Sequence, residues 1–374
     1  MSALHLSQVE RDKMVLGMED AILNRVVPRS QLSENGRRFR SMTLMEMARE
    51  FLEVNGLNVR GMDRMAVASA ALNFRSAGGM TSGDFPSILL NVGSKRLRMA
   101  FTESGGTYKQ WARRAPDAVD FKAITSVQVS AMPELLRVPE HGEFKYGKVI
   151  DGAESYSLLT YGRMVALSRQ ALINDDLRAF DVALSGFGAA ASRLENRMVY
   201  AQLTANANLA DGSPLFGVSR GNLGTGAGSA LQETSLATMR SAMRLQKGLQ
   251  GEELNIMPSY LIVPVSLEQV AYQLTSANYV PAKSSDASEF RTGGRTAITP
   301  IVEPVLDAIS SVAWYAAAGS SQIDTVEYCY LDGADGPVLE SKMGFDIDGI
   351  TLKCRLDFAT KAIDFRGLYK ANGM

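Results

Sequence analysis

The chain has 374 residues, of which 46% are hydrophobic and 21% are charged, with 39 basic and 40 acidic side chains. This length and composition exclude a single small domain and a disordered chain. The formal net charge of -1 excludes bulk attraction to nucleic acid or to an anionic membrane, so any contact with DNA requires a local basic patch.

The sequence carries no recognisable targeting or membrane segment. Charged residues from Glu10 to Lys13 interrupt the region where a secretion signal needs an apolar run, so export is not expected. The longest apolar stretch, residues 312–318, is far shorter than the roughly 18 residues that cross a bilayer. Cys329 and Cys354 lie in strand-like apolar sequence, which predicts buried thiols rather than a disulfide framework.

The first hundred residues are predicted to form helices separated by turns. Thr43 and Glu46 make a capping box at the start of a helix of about three turns, and Gly56 supplies its stop. A second short helix is predicted over residues 63–72, and a third begins at Asp84.

From about residue 118 to residue 161 the sequence changes to short strands with many charges and glycines. Residues 133–157 offer few apolar side chains to bury, so we expect a hairpin that projects from the core. Contacts outside the monomer must then hold this hairpin in place. Residues 156–167 are predicted to return as a strand.

The longest predicted element is a helix over residues 175–206, which contain no proline. Apolar side chains follow the helical i, i+3, i+4, i+7 pattern, and about 30 residues at 1.5 Å each give a rod of roughly 45 Å. Gly186, Gly188 and the alanines after them allow a neighbouring backbone to approach closely. We therefore expect this helix to be a spine against which a sheet is laid.

The C-terminal half alternates between strand-like and helical segments without the regular βαβ rhythm of a nucleotide-binding sheet. The predicted helices cover residues 233–249 and 266–274, and the predicted strands cover residues 260–264, 298–302 and 312–317. The fold class predicted from the residues is therefore α+β.

Candidate catalytic and metal sites have simpler structural explanations. His141 stands between Glu140 and Glu143 without the helical spacing of metal ligands, so a solvated hairpin tip is favoured over a metal site. Asp175 and Asp176 follow Asn174 and resemble a paired acid and base, but carboxylates at a helix start also cap it and complement its dipole. We predict no catalytic residue, no bound metal and no cofactor.

Three further patterns each have more than one interpretation. The aspartate pairs 332/335 and 346/348 resemble calcium loops but lack the terminal glutamate, so Asp-Gly turns are favoured. The glycine-rich residues 221–228 lack the Lys-Ser/Thr ending of a phosphate loop and do not follow a predicted strand, so a flexible connection is favoured. Basic side chains in the N-terminal third could face packaged DNA, pair with another subunit or simply be solvated; these are Arg37, Arg38, Arg40, Lys95, Arg96, Arg98, Arg113 and Arg114.

Several segments, taken in order, resemble the major head subunits of Mu-like tailed phages, including those encoded as fusions to a Clp-type prohead protease. The segments with this resemblance are Asp84-Phe-Pro-Ser-Ile-Leu-Leu, Gly162-Arg-Met-Val-Ala-Leu-Ser-Arg, Asn174-Asp-Asp-Leu, Asn255-Ile-Met-Pro-Ser-Tyr-Leu-Ile-Val-Pro, Ala313-Trp-Tyr, Tyr330-Leu-Asp-Gly, Gly336-Pro and Asp364-Phe-Arg-Gly-Leu-Tyr-Lys. The resemblance covers most of the chain from about residue 40.

The resemblance implies a Hong Kong 97-type capsid fold. Its parts would be a mostly helical N-terminal arm at residues 1–115, an E-loop hairpin at 133–157 and an axial domain at 258–335. The peripheral domain would comprise residues 116–132, 158–257 and 336–374, with the spine helix at 175–206. The E-loop side chains implied in assembly are Glu140, His141, Glu143, Lys145, Tyr146 and Lys148, and the spine helix would start at Asn174, Asp175 and Asp176.

The resemblance also implies the partners of the protein. It predicts pentamers and hexamers of a closed shell, a scaffold or protease, a portal, possible decoration proteins and non-specifically held double-stranded DNA, with assembly in the bacterial cytoplasm and no membrane contact. Some relatives cross-link their shells through an E-loop lysine, for which Lys145 and Lys148 are positional candidates. The alternatives are an encapsulin-like cellular shell around a cargo and an unrelated hydrolase.

Overall fold

The computed structural model describes residues 8–74, 85–129, 151–168, 174, 177–249, 251–276, 290, 297–343 and 349–373. Its helices are α1 (Gln8–Val26), α2 (Glu34–Arg37), α3 (Leu44–Val54), α4 (Arg64–Asn73), α5 (Phe85–Glu103), α6 (Leu177–Thr204), α7 (Glu233–Arg244), α8 (Glu268–Thr275) and α9 (Pro304–Asp307). Among the described residues, no helix is both long and apolar enough to cross a membrane.

The strands complete a mixed helix and sheet architecture, which confirms the predicted α+β class. They are β1 (Arg113–Arg114), β2 (Ile124–Val129), β3 (Asp151–Tyr156), β4 (Leu159–Ser168), β5 (Leu223–Gly224), β6 (Pro258–Val263), β7 (Thr299–Val302), β8 (Trp314–Ala318), β9 (Val326–Tyr330), β10 (Val338–Met343), β11 (Gly349–Ala362) and β12 (Leu368–Ala371). The chain divides into two compact units.

The first unit contains the described parts of residues 1–105, 160–193 and 333–357. Its α3 begins as predicted, because the Thr43 hydroxyl accepts from the Glu46 N–H and the Glu46 carboxylate accepts from the Thr43 N–H at 2.7 Å. The chain leaves this helix through Gly56, whose positive φ of 85° favours glycine. Asp63 caps α4, so both local helix signals are confirmed.

The core of the first unit is apolar. It gathers side chains from the helices α1, α3, α4, α5 and α6, and Met18, Val92 and Leu184 among them are completely buried. Burial of such a side chain contributes about 1.5–3 kcal/mol to folding. The buried carboxylate of Glu19 accepts hydrogen bonds from Asn91 at 2.6 Å and from Lys95 at 3.1 Å, which ties α1 to α5.

Helix α6 falls within the predicted range of residues 175–206, but the partner of its small residues differs from the prediction. A Cβ on Gly188 would lie 2.7 Å from the Leu97 carbonyl oxygen and 2.8 Å from the Phe101 nitrogen, so the closely approaching backbone belongs to helix α5 and not to a sheet. Gly186 has open space around the corresponding position. The close approach was thus predicted correctly and its partner wrongly.

The second unit contains the described parts of residues 106–159, 194–332 and 358–374. One of its sheets has the strand order β5-β12-β8-β6-β7. Strands β6 and β7 pair in parallel, and α8 lies between them in the chain, so this sheet contains one βαβ unit. Trp314, the first residue of β8, is fully buried, and its indole donates to the Ser229 carbonyl at 2.9 Å.

A second group of strands in this unit surrounds β9, which is buried along its whole length. Strand β9 pairs in parallel with β1 and antiparallel with the end of β11, where Tyr330 faces Phe358.

Cys329 and Cys354 are both buried and free, and burial raises the pKa of each thiol to about 11. The prediction of buried thiols is confirmed.

Helix α7 ends earlier than the predicted limit of residue 249. It stops at Arg244, and the chain then turns back so that Lys247 and Glu253 form an isolated antiparallel bridge. Gly251 adopts a positive φ of 87° within this turn. The local helical pattern is therefore overridden by a pairing that forms after the turn.

Candidate functional site

Most of the predicted assembly residues lie outside the described part of the chain. This holds for Glu140, His141, Glu143, Lys145, Tyr146 and Lys148, and also for Asp175, Asp176, Asp346 and Asp348. Asn174 is described and its side chain is exposed. What the structure does describe is the pair of strands that flanks residues 130–150.

These strands, β2 and β3, are called the hairpin stem from here on. They form a separate two-stranded antiparallel sheet, in register from Ile124 opposite Tyr156 to Val129 opposite Asp151. Because successive side chains of a strand point to opposite sides, the stem has two faces. Glu154 and the partly buried Tyr156 lie on the inward face, whereas the outward face exposes Val127, which is 53% accessible and pairs with the exposed Ala153.

The inward face of the hairpin stem is attached through polar contacts. The backbone N–H of Ala210 donates to Oε1 of Glu154 at 2.5 Å, and the Lys361 ammonium lies 3.7 Å from Oε2. The Tyr156 hydroxyl donates to Oε2 of Glu327 at 3.4 Å. Burial is the main reason that the pKa of Tyr156 lies above its usual range, so this phenol stays protonated and remains a donor.

The segment that supplies the Ala210 N–H is called the receiving loop and comprises residues 206–216. Asn206 has a positive φ of 47°, and its side chain both accepts from the Phe216 N–H at 2.6 Å and donates to the Phe216 carbonyl at 3.1 Å. The guanidinium of Arg220 donates to Asp211 at 2.7 Å and to the Ser213 carbonyl at 2.9 Å. The receiving loop is thus fixed by hydrogen bonds within it and by those from Arg220.

A buried polar group, called the Glu195 cluster, lies in the interior of the same unit. It consists of Thr107, Tyr108, Trp111, Glu195, Tyr200, Glu303 and Tyr330. Glu195 is fully buried on α6, and its Oε2 accepts from the Tyr108 hydroxyl at 2.7 Å. Its other oxygen, Oε1, has no hydrogen-bond partner among the described residues.

The electrostatics of this cluster centre on Glu195. Burial raises the pKa of its carboxyl to about 7, and the Tyr108 hydrogen bond and the charge of Lys109 oppose the rise. Burial also moves the pKa of Tyr108 far above its usual range, so the phenol remains a donor. Near neutral pH the carboxyl therefore exists as a mixture of its two protonation states.

The second half of the cluster joins α6 to the N-cap of α9. Thr107 donates to Oε2 of Glu303 at 2.5 Å and lies 2.8 Å from the Tyr200 hydroxyl, which also accepts from the Trp111 indole at 3.3 Å. Oε1 of Glu303 accepts from the Val305 N–H and caps α9. These contacts hold helices and a turn together.

Many of the basic side chains of the N-terminal third are paired within the chain. Lys95 binds Glu19 at 3.1 Å, Arg96 binds Asp181 at 2.5 Å, and Arg114 binds Asp117 at 2.9 Å. Arg38 pairs with Glu50, and Arg113 pairs with Asp324. The interpretation of these residues as a free DNA-facing patch is weakened accordingly.

The sequence model of the family described as "Phage capsid protein" matches residues 152–371, which is more than half of the chain. The chain belongs to the phage capsid protein family. This membership confirms the prediction of a phage capsid protein and makes the chain a structural protein rather than an enzyme. The matched region contains residues 152–156 of β3, the receiving loop and α6. No curated protein sequence matches this capsid protein.

Several solved structures are distantly similar to this capsid protein. A chain titled "Mycobacterium phage Adephagia" is 13% identical with a TM-score of 0.48, and the match covers 72% of this chain and 90% of that one. The procapsid of bacteriophage JBD30 is 15% identical with a TM-score of 0.43, and the match covers 79% of this chain and 77% of that one. The virus-like particle from Pyrococcus furiosus is 12% identical with a TM-score of 0.44, and the match covers 75% of this chain and 98% of that one. Because these TM-scores are below 0.5, the assignment rests on the family match.

Proposed function

We propose that this capsid protein is the subunit that forms the pentamers and hexamers of an icosahedral head, with a Hong Kong 97-type arrangement. The observation that carries the proposal is the hairpin stem, whose two strands pair only with each other among the described residues. An isolated two-stranded ribbon is marginally stable in water. Its exposed outward face, with Val127 at its centre, is suited to contact with a neighbouring subunit.

In this proposal residues 133–157 form the E-loop that lies on the neighbour. Its contact residues are Glu140, His141, Glu143, Lys145, Tyr146 and Lys148, with the two lysines as candidates for covalent cross-links. Residues 1–115 form the arm, α6 is the spine of the peripheral domain, and residues 258–335 form the axial domain near the five- or six-fold axis. Asn174, Asp175 and Asp176 mark the start of the spine.

The physical basis of assembly is the repetition of modest interfaces. Each subunit contributes its hairpin to one neighbour and its arm to another, so many contacts close together and the shell is far more stable than one contact. Bending of the spine and hinging of the hairpin would fit the same chain into pentamers and hexamers.

The proposed partners follow from a role in the head. They are a scaffold or protease, a portal, decoration proteins and double-stranded DNA held without sequence specificity on the inner face, with assembly in the host cytoplasm. The internal pairing of Lys95, Arg96 and Arg114 supports a weak and dispersed DNA contact over a dedicated binding site.

Sedimentation and negative-stain microscopy of the purified full-length protein test the proposal. The expected result is capsomers or closed shells of uniform size, whereas a stable monomer or dimer at all concentrations would contradict it. Nuclease treatment and analysis of shell contents separate the alternatives, since a phage head packages DNA and an encapsulin-like shell holds a protein cargo.

A further inference from the structure

The attachment of the hairpin stem depends on a carboxylate in an unusual place. Glu154 is only 7% exposed, although it lies in the middle of a ribbon whose opposite face is open to solvent. A buried carboxylate is costly unless charged or polar partners satisfy it. Glu154 therefore requires hydrogen-bond or charged partners, and the positions of these partners indicate the role of the residue.

The partners of Glu154 come from two separate segments. Oε1 accepts from the backbone N–H of Ala210 in the receiving loop at 2.5 Å, which is a short, charge-assisted hydrogen bond. Oε2 lies 3.7 Å from the ammonium of Lys361 on β11. One side chain of the stem is thus held from two directions at once.

The receiving loop is built independently of the stem. The Leu209 N–H donates to the Ser213 carbonyl at 3.0 Å, and the Gly212 N–H donates to the Leu209 carbonyl at 2.9 Å. The bonds from Asn206 and Arg220 close the rest of the loop. Ala210 consequently presents its N–H from a rigid turn, and the stem attaches to a fixed point.

We propose that Glu154 is a positioning residue that sets the direction in which the hairpin leaves the subunit, by clamping the stem to the receiving loop. The stem spans roughly 17 Å, and a rotation of about 10° at its root moves its far end by roughly 3 Å. A shift of that size is enough to misalign a hairpin that must meet a neighbour. The assembly part of this inference rests on the proposed function, while the clamp itself exists within one subunit.

Amide hydrogen exchange on unassembled full-length subunits tests the clamp directly. In Glu154→Ala we expect exchange of residues 124–129 and 151–156 to accelerate at least tenfold, with residues 314–318 and 326–330 unchanged. Glu154→Gln keeps an acceptor for Ala210 but loses the charge, so an intermediate acceleration is expected. Glu303→Gln is the matched control, because it alters a buried carboxylate of the same unit that does not touch the stem.

Assembly of the same variants tests the positioning role. Glu154→Ala is expected to give few closed shells or shells of irregular size, and Glu154→Gln a partial defect. Unchanged exchange in the stem of Glu154→Ala, equal acceleration throughout the unit, or normal shells from a subunit with an accelerated stem would each overturn the inference. A wild-type protein that forms no shells would instead refute the proposed function, and the exchange measurement would still decide whether the clamp exists.

Discussion

The hairpin stem and the Glu195 cluster occupy the same unit and use similar chemistry with different results. Each contains a buried carboxylate that accepts a hydrogen bond, from the Ala210 N–H in one and from the Tyr108 hydroxyl in the other. Glu195 is surrounded on all sides by its own chain, whereas Glu154 supports a ribbon with an exposed outer face. Buried polar contacts in the cluster connect helices in the interior, whereas those of the stem attach a ribbon whose outer face remains exposed in the single subunit.

The largest expected effect on stability comes from the charge of Glu195. Its pKa is raised from 4.5 to about 7, so the folded state binds the proton more tightly than the unfolded chain. Stability is therefore highest below pH 4.5 with respect to this group, and falls by roughly 3 kcal/mol as the pH rises through 7.

Denaturant unfolding of the wild type and of Glu195→Gln between pH 4.5 and pH 8 measures this contribution. The variant should lack the fall, so its free energy of unfolding relative to the wild type should improve by roughly 3 kcal/mol across the range. Parallel curves for the two proteins would show that Glu195 ionises normally and is not part of a sealed cluster.

A smaller effect is expected from the phenol that binds Glu195. Tyr108→Phe removes the 2.7 Å hydrogen bond to Oε2 of Glu195, whose Oε1 already has no partner among the described residues, and this loss should cost about 1–3 kcal/mol at pH 7. Tyr272→Phe is the control, because this side chain is 46% exposed and its change should cost less than about 0.5 kcal/mol. Equal, small losses in both variants would remove the distinction between the cluster and the surface.

The smallest effect on subunit stability is expected on the outward face of the stem. Val127→Ser alters a side chain that is 53% exposed, so the unfolding free energy should change by less than about 0.5 kcal/mol. Shell formation should nevertheless require a higher protein concentration, while Val127→Ile should assemble normally. Concentration-dependent light scattering measures this, and identical assembly of Val127→Ser and the wild type would argue against a neighbour on that face.

Local features of the fold were predictable from the sequence, and their long-range partners were not. The capping box at Thr43 and the extent of α6 follow from short patterns, which act within a few residues. Gly188 signals that a backbone comes close but does not identify that backbone as α5. The early end of α7 depends on the Lys247–Glu253 bridge, which local helix propensity does not include.

The buried carboxylates of the hairpin stem and of the Glu195 cluster were not predicted, for the same reason. Glu154 and Ala210 are 56 residues apart, and Tyr108 and Glu195 are 87 residues apart, so neither pair forms a motif. A signal was present for Glu195, which stands four residues from both Ala191 and Val199 on a buried helical stripe. A charged residue on such a stripe indicates a buried polar partner, although not which one.

The most direct test of the central claim compares assembly of the wild type with that of a deletion of residues 140–150. The measurement is sedimentation velocity with electron microscopy on both proteins at equal concentration, alongside their thermal unfolding. The account predicts closed shells from the wild type, and from the deletion a folded, soluble subunit that forms none. Normal shells from the deletion would contradict the claim that the hairpin drives assembly.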